Sequence, residues 1–195
     1  MSTLETVTSP YARVKAVTVY CGSKSVSDPA YDQAAAELAQ LLAANDITLV
    51  FGGSNTGTMK VLADTMLENG GRVVGIFTQS IRGEYLHQGL TETVITRDLA
   101  ERKAEMIRRS DVLIALPGGF GTLDELFDAV AHRKMHHGGH NHPIGLLNLN
   151  GYYDKLLDFL AHAQEIGFLR AADATLILSA TTPVDLLRKL NAARV

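Results

Sequence analysis

Three glycine-bearing turns hold the residues best suited to chemistry in this chain. They are Cys21-Gly22-Ser23, Gly52-Gly53-Ser54-Asn55-Thr56-Gly57-Thr58 and Pro117-Gly118-Gly119-Phe120-Gly121-Thr122. Each follows a short apolar run and precedes a helical pattern. Glycine lets the backbone turn sharply and come close to a ligand. The free N–H groups that open the next helix then favour an anion such as phosphate. Neither of the two longer loops is a Walker sequence, and neither has the GxGxxG dinucleotide spacing. One such loop is as often a mere turn as a site. Three of them at the same sheet edge point to a nucleotide-type ligand.

Two charged side chains stand near these turns. Thr122-Leu123-Asp124-Glu125 fits the Thr-x-x-Glu capping box, in which the glutamate only serves the start of its helix. Acid in a first turn also suits the helix dipole. The functional reading makes Glu125 a carboxylate beside a glycine turn, able to stabilise an oxocarbenium-like cation or to position water in glycosidic cleavage. The two roles are compatible. Asp98, Arg102 and Met106 recur at intervals of four and so share a helix face. A helix this rich in charge is ordinarily a solvated, salt-bridged surface. The functional reading has Arg102 reaching a phosphate or a departing base.

Other reactive side chains carry less. Five of the seven histidines lie in His132–His142, and His132 and His136 have the i, i+4 spacing of a helical metal pair. Gly138, Gly139 and Asn141 read instead as a polar lid loop, and with no accompanying cysteine and no HExxH pattern no metal is expected. Cys21 ends a strand with no base in the neighbouring sequence, which favours a small buried residue over a nucleophile.

The elements that position these residues alternate regularly. Ala16–Cys21, Ile47–Phe51, Arg72–Phe77, Thr93–Thr96, Asp111–Leu116, Ile144–Leu149 and Thr175–Ser179 read as strands. Helical patterns cover Asp28–Ala44, the stretch after the second turn to Asn69, Asp98–Arg109, Thr122–Lys134, Tyr152–Gly167 and Val184–Ala193, with Gly70-Gly71 stopping the second of them. Continuous apolar strands between helices of this length predict an α/β, Rossmann-like doubly wound fold: a mainly parallel sheet with helices on both faces. Ligands of such sheets bind beyond the carboxyl ends of the strands, where the glycine turns lie.

The bulk properties set limits. The 195 residues, 46% apolar and 20% charged, suit one globular domain. We expect a flexible tail over residues 1–14 and a single domain over 15–195. A net charge of −3 without charge blocks gives no footprint for a nucleic-acid polymer. No apolar run is long enough for a membrane span. The single cysteine and the absence of an apolar leader core suit a reducing, cytoplasmic setting.

The run Leu116–Glu125 resembles the PGGxGTxxE signature of the LOG ("Lonely Guy") family, the cytokinin-activating phosphoribohydrolases. Tyr20–Ser23, Val50–Met59, Glu101–Met106 and Pro143–Leu157 are also similar to that family, so the resemblance spans about residues 16–169. It implies a Rossmann-like homodimer without cofactor that hydrolyses a nucleoside 5′-monophosphate to free base and ribose 5-phosphate. Arg102 and Glu125 are then the catalytic pair. Pro117, Gly118, Gly119, Gly121 and Thr122 hold the phosphoribose, with Gly22, Ser23, Gly52, Gly53, Gly57, Thr58 and Met59 beside them. Lys103 and Met106, with Arg102, line the base side. Relatives often labelled "lysine decarboxylase" share the pattern, but no cofactor-linked lysine or pyridoxal site is legible in this chain.

The chain departs from the family at several positions. Ala100 stands where a histidine is frequent, Gly57-Thr58-Met59-Lys60 replaces GLMG, and AHRKMHHGGHNH replaces a tryptophan-containing stretch. Base preference therefore stays open between N6-modified adenine, as in cytokinin activation, and ordinary AMP. A non-enzymatic nucleotide or molybdenum-cofactor binder of similar fold is the alternative from another class, but a binder of phosphate gains little from a carboxylate beside it.

Overall fold

The computed structural model describes residues 9–81, 85–135 and 141–194. Seven strands form one sheet: β1 (Ala16–Tyr20), β2 (Thr48–Phe51), β3 (Val73–Thr78), β4 (Glu92–Thr96), β5 (Val112–Ala115), β6 (Ile144–Leu147) and β7 (Ile177–Ala180). Among the described residues six α-helices accompany them: α1 (Ala30–Ala43), α2 (Gly57–Glu68), α3 (Leu99–Arg108), α4 (Phe120–Lys134), α5 (Asp154–Glu165) and α6 (Pro183–Ala193). The strand order is β4-β3-β2-β1-β5-β6-β7, and every neighbouring pair is parallel. The doubly wound α/β architecture is thus as expected, and the sheet is wholly parallel.

The apolar runs are strands because both of their faces are covered. Every residue of β3 and β5 is buried. At the edge, β4 alternates between covered and exposed residues, as a strand with one open side should. One core layer packs Val17, Val19 and Phe51 against Leu38 and Leu42 of α1, Leu62 of α2 and Leu186 of α6. The other packs Tyr20, Val50 and Ile76 against Met106 of α3 and Leu126 of α4.

Local chemistry fixes the ends of the helices. Asp28 accepts from the Ala30 amide ahead of α1. Asp98 caps α3, its Oδ1 accepting from the Glu101 amide at 2.8 Å. Gly70 (φ +72°) ends α2, and the Gly71 amide donates back to Met66. Within the segment expected as a tail, Tyr11 and Val14 are buried in the first core layer, and Ser9 donates to Asn45. Those residues cover apolar surface of the domain; residues 1–8 lie outside the described residues.

Candidate active site

The order of strands reverses between β1 and β5. In an open parallel sheet that is where a crevice forms beyond the carboxyl ends. Gly22 follows β1 and Gly118 follows β5, and the two turns pack against each other: a Cβ added to Gly118 would stand 3.0 Å from the Gly22 amide nitrogen. The turn after β2 joins them, since the Met59 amide donates to the Gly22 carbonyl. Three turns distant in sequence are therefore one surface. Ser23, Gly119, Phe120 and Gly121 on it are open to solvent. The first amides of α4 have no carbonyl one turn earlier to bond, so they remain donors for an anion.

Arg102 and Glu125 meet beside this surface. Arg102 Nη1 donates to Glu125 Oε1 at 2.5 Å, and their side chains are only 12% and 11% exposed. Arg102 Nε donates to the Ile76 carbonyl on β3 at 2.9 Å, which fixes the plane of the guanidinium. The guanidinium lies over Gly52: a Cβ there would be 2.2 Å from Nη2. The absence of a side chain at position 52 is what admits the arginine.

Most of the other charged residues on and beside α3 form the ion-paired face that its composition suggests. Arg97 pairs with Glu101, Arg108 with Glu105, and Arg109 with Glu105 and Glu92. Only Arg102 turns inward to this pair. The solvated-face reading of α3 thus holds for these residues, while Arg102 turns to Glu125.

The capping-box reading of Thr122 and Glu125 does not hold. The helix begins two residues earlier than expected, at Phe120, with extended Gly119 as its N-cap and no side-chain cap bond. Thr122 is buried within the first turn, its hydroxyl against Gly118. Glu125 is a turn inside the helix and points to Arg102. Burial raises its carboxyl above the ordinary glutamate value, with Arg102 opposing the shift. Burial, then the Glu125 and Asp128 carboxylates, push the Tyr20 phenol up as well. Cys21 is a core residue, and its burial moves the thiol far above its usual value, which disfavours the reactive thiolate.

The other residues expected at the site are placed as follows. Met106, expected on the base side, is fully buried in the second core layer. Lys103 is tied to Asp124 at 3.1 Å and Asp128 at 3.3 Å on α4. The Thr58 hydroxyl is spent on Asp32 of α1. Gly53 is buried, while Gly57 lies against the Ser23 backbone. Met59 sits beside Gly52, and Pro117 is half-buried. Among the described residues no group of three or more His, Cys, Asp or Glu could hold a metal. His132 faces Asp128 at 3.7 Å. Its proposed partner His136 and most of the expected lid loop lie outside the described residues.

Sequence reasoning missed two tyrosines that bond to the Leu116–Gly118 backbone. The Tyr152 hydroxyl donates to the Gly118 carbonyl at 2.6 Å, and Tyr153 donates to Leu116 at 2.7 Å. Both sit in Asn150-Gly151-Tyr152-Tyr153, about thirty residues downstream of the turn they support. A pair of tyrosines behind an Asn-Gly turn was the available signal.

Comparison with known proteins adds a family. Residues 59–190 match the protein-family model described as "Possible lysine decarboxylase". The chain is 40% identical over 182 residues to cytokinin riboside 5'-monophosphate phosphoribohydrolase LOG5 of Arabidopsis thaliana, covering 93% of this chain and 79% of that protein. It is 38% identical over 191 residues to the probable cytokinin riboside 5'-monophosphate phosphoribohydrolase LOGL2 of Oryza sativa subsp. japonica, covering 97% and 78%. Among solved structures it is similar to the molybdenum cofactor binding protein of Rippkaea orientalis, with a TM-score of 0.68, 24% identity and coverage of 91% and 95%. The molybdenum cofactor carrier protein of Chlamydomonas reinhardtii aligns with a TM-score of 0.69 at 20% identity, covering 91% and 96%. At those identities the structural likeness speaks for the fold alone.

Proposed function

The chain belongs to the LOG family of cytokinin riboside 5'-monophosphate phosphoribohydrolases, and from that premise we propose that it hydrolyses the N-glycosidic bond of an adenine-type nucleoside 5′-monophosphate. The observation that carries the reading is the covered Arg102–Glu125 pair at the edge of the glycine turns. A nucleotide-binding surface alone has no use for a carboxylate held there.

In this mechanism the amides of the Gly118–Thr122 turn and of the turn before α2 hold the 5′-phosphate. That fixes the ribose with its anomeric carbon toward Glu125. As the bond between C1′ and the base nitrogen breaks, positive charge develops on the ribose ring. The Glu125 carboxylate stabilises that charge and orients a water molecule. The water oxygen bonds to C1′, and its proton leaves to solvent or to the departing base. The products are free base and ribose 5-phosphate. Arg102 keeps Glu125 in place and offers positive charge toward phosphate or leaving base. No step draws on a metal or a redox cofactor.

The proposal extends to a homodimer. Phe120 is 93% exposed at the tip of α4 and Phe127 is 40% exposed about two turns along the same face, an apolar surface that a second copy would cover. Among the described residues no helix is long and apolar enough to cross a membrane. A reducing, cytoplasmic setting suits the lone buried thiol.

The test is mass-spectrometric detection of free base and ribose 5-phosphate after incubation with AMP and, separately, with N6-isopentenyl-AMP. Release from the prenylated nucleotide alone assigns the cytokinin role. Release from both gives a general nucleosidase. Release from neither overturns the enzymatic reading.

A further inference from the structure

Residues 85–88, ahead of β4, run alongside the β2–α2 turn. The Asn55 amide donates to the Tyr85 carbonyl at 2.9 Å, and the His87 amide donates to the Gly53 carbonyl at 3.0 Å. Ser54 and Leu86 pair as an antiparallel bridge. Residues 85–88 thus form a short strap over the glycine turn. Of its four side chains only His87 is buried, at 7% exposure.

The His87 ring is wedged between the two elements that the turn connects. It stands edge-on to Phe51 at the end of β2, with centroids 6.5 Å apart. Its Nε2 lies 2.9 Å from Asp64 Oδ1 on α2. Asp64 is also held by Lys60. Burial opposes ionisation of Asp64, but the hydrogen bonds from Lys60 and His87 hold its carboxyl below the usual aspartate value. The carboxylate requires a donor, which assigns a proton to Nε2. Nδ1 is buried with no hydrogen-bond partner among the described residues. Burying that nitrogen unpaired carries a desolvation cost that a phenylalanine in the same slot would avoid. Packing alone therefore does not account for an imidazole here; the bond to Asp64 does.

We propose that His87 is a positioning residue of the site: by anchoring the strap to α2 it fixes the Gly52–Gly57 turn and so sets how tightly the phosphoribose is held. This rests on the reading of that turn as part of the substrate site. The route is short. His87 holds Gly53 through the backbone, Gly53 adjoins Gly52, and the Arg102 guanidinium lies over Gly52. His87 itself touches no substrate in this arrangement.

Two variants test it. His87→Phe fills the slot against Phe51 but removes the donor. His87→Gln keeps a donor for Asp64. In His87→Phe the KM for the nucleoside monophosphate should rise about tenfold, the scale of one lost hydrogen bond to a charged group, with kcat within about twofold of the parent. His87→Gln should recover most of that KM. Amide hydrogen exchange gives an activity-independent readout: the Asn55 amide should exchange faster in His87→Phe and return toward the parent rate in His87→Gln. An unchanged KM in a folded His87→Phe protein overturns the proposal, as does an equal defect in both variants. If the parent releases no base from any monophosphate, the functional reading fails separately. Exchange at Asn55 then decides the strap, and an unchanged rate in His87→Phe overturns it.

Discussion

Gly52 and Arg102 compete for one volume: a Cβ on residue 52 would lie 2.2 Å from Nη2 of the guanidinium, far inside contact distance. The atom that must yield is the far end of a flexible side chain, so the fold should survive Gly52→Ala. The guanidinium would have to leave Glu125 to make room. We expect a folded protein whose kcat/KM falls nearly as far as that of Arg102→Ala. Steady-state rates beside thermal midpoints check this, and full activity in Gly52→Ala would show that the placement of Arg102 is not needed.

Glu125→Gln separates charge from packing. The amide oxygen can still accept from Arg102, and burial already disfavours the ionised carboxyl, so the thermal midpoint should move by only a few degrees. Turnover should fall by roughly 100-fold or more, the scale of a lost acid–base or electrostatic group. Near-normal kcat in the folded variant would take Glu125 out of the chemistry.

The pH profile follows from the same carboxyl. The charged form acts, so activity should be lost as pH falls through the Glu125 pKa. Burial sets that pKa above the ordinary 4.5, and the acid limb of kcat/KM should lie at correspondingly higher pH. Stability runs the other way. A raised acid contributes stability that is full below its unfolded pKa and lost as pH rises through its folded pKa. Glu92 and Glu105, held below their ordinary values by hydrogen bonds from Arg109 and Arg108, lose their contributions only as pH falls below about the ordinary glutamate value. Activity should therefore decline in a window where the thermal midpoint does not. A midpoint that falls in step with activity would assign the limb to unfolding.

The glycine turns predict dependence on the 5′-phosphate. Losing charge-assisted bonds to two or more amides should cost about 3 kcal/mol, or roughly 100-fold. AMP should accordingly exceed adenosine in kcat/KM by at least that factor. Equal values would remove the phosphate from the proposed binding mode.

Phe127 predicts assembly. Among the apolar residues at this part of α4, Leu126 is fully buried in the monomer core, Val130 is half-buried, and Phe127 is 40% exposed. Light scattering should give a dimer, and Phe127→Arg should shift it toward monomer without lowering the helical signal. A monomeric parent at micromolar concentration would dismiss the interface.

The chain by itself determined its architecture. Runs such as Val112–Ala115 and Val73–Thr78 announce buried parallel strands, because only a strand covered on both faces tolerates so continuous an apolar sequence. Alternation with helices then places the glycine turns at one edge. PGGxGTxxE and the upstream arginine gave the family, and with it the Arg102–Glu125 pair. Other assignments were beyond its reach. The capping-box spacing at Thr122 suits a helix that starts there, yet the helix starts at Phe120, with Thr122 packed against Gly118 and Glu125 turned to Arg102. Met106 shares a face with Arg102 by spacing, yet it is buried, because α3 lies close enough to the sheet for one side chain to reach the site and the next to fill the core. The supports of Tyr152 on Gly118 and His87 on Gly53 join residues about thirty positions apart in chain order. Such contacts follow from how strands and loops cross in space, which no local pattern of residues records.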